Sequence, residues 1–189
     1  MTLYSIALFL HIVGALGMFV AFGLEWMSLA YLQRASTAEQ AREWLGVRGW
    51  VQRMGPGSLA LILLSGFYMM APTWRWVGWI VVALAAIVLI AILGATLTGL
   101  RMGSTEQIAA SESGPLSPAL RQRLRDPLLW TSIQTRTAIG LGIVFLMTVK
   151  PDLVGALVTI STAVVLGLAS ALPMWRRVRT KGEEALSRS

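Results

Sequence analysis

The chain has 189 residues, 56% of them hydrophobic and 13% charged, with a mean hydropathy of +0.67; soluble proteins carry about a quarter charged residues. Its formal charge of +7 would suggest nucleic acid in a soluble protein, but here the basic residues flank apolar segments, where anionic lipid headgroups attract them, and no nucleic-acid partner is expected. Cysteine is absent, which excludes disulfides, thiolate metal sites, iron–sulfur clusters and cysteine nucleophiles.

A hydrocarbon core of about 30 Å needs roughly 20 apolar residues as helix, and five segments meet that need. The first span covers residues 3–32, apolar from Leu3 to Leu24 and continuing as helix through Glu25 to Leu32. It has no basic leader and outruns the apolar stretch of a signal peptide, so it reads as a permanent span. A cytoplasmic loop follows over 33–54. Within it Ser36-Thr37-Ala38-Glu39 has a capping-box pattern, and Ala38 to Val47 reads as a short interfacial helix with Trp44 turned toward lipid. The second span is 55–72, marked by proline at both ends, and a tight turn at Thr73 to Arg75 leads to the third, 76–100. The cytoplasmic segment 101–127 includes Gly103 to Pro118, rich in Ser, Gly and Pro and read as a flexible loop. The fourth span is 128–149, with Arg136 inside it. A Lys150-Pro151-Asp152 turn then leads to the fifth, 153–175, and residues 176–189 form a tail.

The expected fold is therefore all-α, one polytopic transmembrane bundle of about five spans over residues 1–189. Unpaired backbone groups are too costly in lipid for anything but helices, and a barrel needs alternating short strands that are missing. Orientation follows from charge. Of the sixteen Lys and Arg residues, only Arg75 and Lys150 fall on one side; the loops 33–54 and 101–127 with Arg136, and the tail, hold all the others. The positive-inside rule then places the N-terminus outside and the C-terminus in the cytoplasm. Trp74, Trp76 and Trp79 fall at the level of an outer aromatic belt and Trp175 at the inner one. An odd number of spans and no visible repeat argue against a two-half inverted-repeat transporter.

On the first span Ala7, His11, Gly14, Met18, Ala21, Glu25 and Ser28 follow one another by steps of four and three. Small, polar and soft residues thus share one helical face, which should turn to the bundle interior. His11, the single histidine, lies roughly 15 Å down that helix at about 1.5 Å per residue. An ionisable group at such depth invites a functional reading: axial haem ligation, proton relay, quinone or copper binding. The plainer reading is a neutral imidazole fixing helix packing through a hydrogen bond. With one histidine, haem needs Met, Lys, water or a second copy of the chain as its other ligand.

Glu25 and Arg136 fall near the cytoplasmic boundary with Arg53 and Arg101. They read as an ion-pair cluster pinning helix ends, or as a proton or anion gate. The fourth span continues the pattern through Gly140, Ile143, Met147 and Lys150, a face expected to meet span one. Met18, Met69, Met70 and Met147 are soft enough for Cu(I), yet sequence spacing brings no His–Met pair to bonding range. Nucleotide, metalloprotease and serine-hydrolase signatures are missing.

Leu10-His11-Ile12-Val13-Gly14-Ala15, Ser65-Gly66-Phe67-Tyr68 and Leu146-Met147-Thr148-Val149-Lys150-Pro151-Asp152 resemble a family of small bacterial integral membrane proteins. That family is similar to the membrane domain of the copper-resistance protein CopD and to the haem-biosynthesis protein HemJ. The resemblance implies a haem b ligand at His11 and residence in the bacterial inner membrane. HemJ-like proteins also rely on an intramembrane lysine in a later span; span three has none, and Lys150 stands at a helix end. Protoporphyrinogen oxidation is therefore not expected, whereas a haem-binding, redox-associated or copper-linked role is. The alternatives are an accessory or scaffold subunit of a homodimer or larger membrane complex, and a small transporter gated by Glu25, Arg53 and Arg136.

Overall fold

Five helices long and apolar enough to cross a membrane organise the chain, and the described residues contain no strand beyond an isolated bridge between Thr37 and Pro115. A computed structural model describes residues 2–73 and 76–186, without the side chains of residues 72–73 and 176–186. Trp74 and Arg75, expected at the outer boundary, and the side chains of the basic tail lie outside the described residues.

Helix α1 (Leu3–Leu32) starts on Thr2, whose hydroxyl accepts the Ser5 N–H. Helix α2 (Ala38–Thr73) corrects the sequence reading: the interfacial helix and the second span are one continuous element, and most of the 33–54 loop is helical. Its cap is also displaced by one residue. Thr37 Oγ1 accepts the Gln40 N–H and the Gln40 side chain takes the Ser36 N–H, so Gln40 acts where Glu39 was expected. Trp44 is half-buried and stacked 4.1 Å from Tyr31, while its carbonyl accepts the Ser28 hydroxyl.

The third span is helix α3 (Gly78–Leu93), a π-helical turn (Gly94–Gly99) and helix α4 (Leu100–Ser111) in unbroken succession. Gly103 to Ser111 is thus helix rather than flexible loop. Buried Met102, Thr105 and Ala109 recur on one face, and this apolar period outweighs the local Gly and Ser content. Beyond it, Ala38 N–H reaches Gly114 O at 2.8 Å and Leu116 N–H reaches Ser36 O at 3.2 Å, tying the segment to the start of α2. Short helix α5 (Pro118–Leu124) precedes α6 (Pro127–Val149), which Asp126 caps through the Leu128 N–H. Lys150 ends α6 in the left-handed region (φ 53°), and helix α7 (Leu153–Leu186) follows.

The most extensive pairings are α1 with α2 and α6 with α7. Small residues permit both. A Cβ on Gly14 would meet the Ile62 side chain at 2.9 Å, and a Cβ on Gly167 would stand 2.6 Å from Thr135 Cα, so backbones approach as they do in small-residue membrane interfaces. The stripe on α1 does turn inward, with Ala7, Gly14, Ala21 and Ser28 buried. Its main partner, however, is α2 rather than the expected span four. From that face of α6, Gly140 packs on α1 against Phe22 and Phe19, while Ile143 and Met147 join the α3 cluster around Trp79 and Ile80. Trp79 is buried there instead of facing lipid, Trp76 is exposed, and the indole N–H of Trp175 donates to Thr131 at 3.0 Å.

Candidate functional site

Two cavities flank α1, one at each end of the bundle. The first, about 360 Å³, is walled by His11, Gly66, Met69, Met70, Met147 and Lys150 among mostly apolar side chains. The second, about 390 Å³, lies toward the basic loops and holds Glu25, Arg48 and Arg136.

In the first cavity His11 Nδ1 lies 3.0 Å from Ile62 O and 3.2 Å from Ser65 Oγ, both on α2. A carbonyl only accepts, so Nδ1 carries the proton and donates; in a neutral ring Nε2 is then the lone-pair nitrogen. The Ser65 hydroxyl donates to Leu61 O at 2.5 Å, which leaves its oxygen to face Nδ1. Gly66 makes the approach possible, since a Cβ there would come within 3.2 Å of the imidazole Cε1. No hydrogen bond reaches Nε2 among the described residues. The fold thus adds what spacing along one helix did not: three thioethers and an amine border the same cavity as the imidazole. No group of three or more histidine or acidic side chains capable of holding a metal occurs among the described residues.

The second cavity is built on a charge pair. Arg136 Nη2 donates to Glu25 Oε1, their side chains only 9% and 12% exposed. The same nitrogen donates to Thr98 Oγ1 at 3.3 Å; Thr98 donates to Ser132 at 3.0 Å, and Ser132 to Leu93 O at 3.3 Å. The guanidinium carbon lies 5.8 Å from the Phe22 ring centre. The π-helical turn opens the wall for this side chain. Arg136 Nη1 lies 3.0 Å from where a Cβ on Gly94 would stand, and π turns inside α-helices recur where a helix is shaped to a site. The bonds these polar groups make to one another offset much of the cost of their burial in an apolar segment, although Arg136 Nε is left buried without a partner.

Arg53, expected in this cluster, is exposed and stays out of it. Arg101 pairs with Asp126 instead. The position goes to Arg48, whose Nε meets Glu106 at 3.1 Å and whose Nη2 donates to Gly99 O at 3.3 Å. The signal for it was present: Arg48, Gln52, Gly55, Leu59, Ile62, Gly66 and Met69 follow one another by steps of four and three. Ending the span at Gly55 hid that stripe.

No protein-family model matches the chain, and no curated protein or solved structure matches it.

Proposed function

We propose that the protein is a haem-binding, redox-associated protein of the bacterial inner membrane, with His11 as axial ligand and the basic end of the bundle in the cytoplasm. The observation that carries this reading is the hydrogen bond from Nδ1–H to the Ile62 carbonyl. Such a bond fixes tautomer and ring orientation in metal-ligating histidines and leaves Nε2 as the ligating atom. The donor types suit the group: one imidazole and soft thioethers from Met69, Met70 and Met147 border one cavity whose lining is mostly apolar. Ser65 and Ile62 orient the ring, and Gly66 leaves it room. Bound haem would supply one-electron exchange at its iron.

A second reading rests on the same methionines. Thioethers with one imidazole are also a donor set for Cu(I), in keeping with the CopD-like resemblance. Pyridine haemochromogen assay and copper analysis of the same purified sample separate the two. The expected result is about one haem per chain, lost in His11→Ala with the unfolding temperature retained. Copper without haem would select the second reading, and neither would reject both.

A further inference from the structure

The cavity at the basic end has features that helix pinning does not require. Glu25 and Arg136 need only each other and Thr98 to hold α1, α3 and α6 together, yet the void beside them extends along α2 and α3. Its far walls are apolar: Met18, Phe22, Leu59, Ile90 and Ala91. Water fits poorly along that stretch, because an ordered water needs two to four polar partners, and the cavity's polar side chains, Glu25, Ser28, Arg48, Gln52, Thr98 and Arg136, gather elsewhere on its lining. Hydrocarbon alone fits poorly too. The only hydrogen bonds of the Arg136 guanidinium among the described residues come from Nη2, Nε is buried without a partner, and Arg48 Nη1 is likewise buried and unmatched. Native structures rarely leave such donors unsatisfied unless water, an ion or a ligand completes them.

Charge narrows the occupant. Arg136 is balanced by Glu25 and Arg48 by Glu106, so the cluster is formally neutral. An added anion would bring an unmatched charge into a low-dielectric site and would lie beside the Glu25 carboxylate, which borders the same void. A neutral group with strong acceptor oxygens would engage the guanidinium donors without that penalty. The volume, about 390 Å³, falls at the lower end of the range for small-molecule sites.

We propose that this cavity binds a neutral, membrane-soluble molecule carrying carbonyl acceptors, of the quinone class, with its oxygens toward Arg136 and Arg48 and its apolar body against Leu59, Ile90 and Ala91. This site is separate from the His11 cavity and does not rest on the haem reading.

The test uses the full-length protein in lipid nanodiscs, titrated with a short-tailed benzoquinone and followed by quenching of tryptophan fluorescence, with empty nanodiscs as the partition baseline. Two variants, Ala91→Phe and Ala95→Leu, fill the void from the α3 side and leave every charge in place. Arg136→Gln removes the central donor. The expected result is saturable quenching in the parent, with the apparent Kd raised at least tenfold in whichever void-filling variants keep the parent's unfolding temperature, and in Arg136→Gln where it folds. The proposal is overturned by an absence of saturable quenching, by unchanged affinity in a folded void-filling variant, or by dodecanoate competing more tightly than the quinone. The last outcome would identify the site as one for fatty carboxylates.

Discussion

His11 and Glu25 belong to one stripe of one helix, about 21 Å apart at roughly 1.5 Å per residue, and they solve the same problem in opposite ways. At the His11 end a neutral imidazole is satisfied by a backbone carbonyl and a hydroxyl of the adjacent helix α2. At the other end a carboxylate is satisfied by a guanidinium from α6, far along the chain. A neutral ring that keeps one nitrogen uncommitted is available to a ligand. A charge pair is committed to its partner, and removal of either member strands the other in a medium that solvates it poorly. Shared periodicity therefore tells which residues face inward, while the identity of the facing helix decides whether the position meets a backbone carbonyl or a countercharge.

Substitutions separate the two ends, and the largest effect is expected at the charge pair. Arg136→Leu leaves Glu25 buried and unpaired, a loss of about 3–5 kcal/mol, read as unfolding in mixed detergent. The double variant Glu25→Leu/Arg136→Leu should recover most of that loss, and a double-mutant cycle that shows simple additivity would contradict the pairing. At the His11 end, Ser65→Ala is expected to lower cofactor affinity by about 10–100-fold. Its effect on stability should be near 1 kcal/mol, so affinity and melting should part company there. If they fall together, Ser65 acts through packing. Gly94→Val probes the wall of the charged cavity, where crowding of Arg136 Nη1 should cost about 1–3 kcal/mol. Arg53→Gln is expected to shift stability by less than about 0.5 kcal/mol, as exposed substitutions do; a larger effect would restore the gate reading that included it.

The architecture was largely legible because a bilayer permits few solutions. Continuous apolar runs near 20 residues must be helices, and the inward face of α1 followed from its spacing. Interruption was harder to read. Gly55 and Pro56 suggested an end to α2, and Gly94 and Gly99 gave no hint of a π turn, because a helix carried by neighbouring helices tolerates glycine and proline that an isolated one would not. Partner choice was less legible still. Glu25 with Arg136 was accessible because both are costly in an apolar segment and lie at one level. Arg48 was missed for being assigned to a loop, and the meeting of His11 with Ile62 depends on a backbone carbonyl that no side-chain pattern reveals. The three methionines beside His11 come from α2 and α6, so only the packed fold brings them together.

The most direct test of the account compares reduced-minus-oxidised visible spectra of the parent, His11→Ala and Ala91→Phe proteins, purified identically. A haem α-band is expected in the parent that disappears in His11→Ala and persists in Ala91→Phe, as two separate cavities on one helix require. A band that survives His11→Ala, or its absence from the parent after haem supplementation, would contradict the assignment of His11 as the ligand.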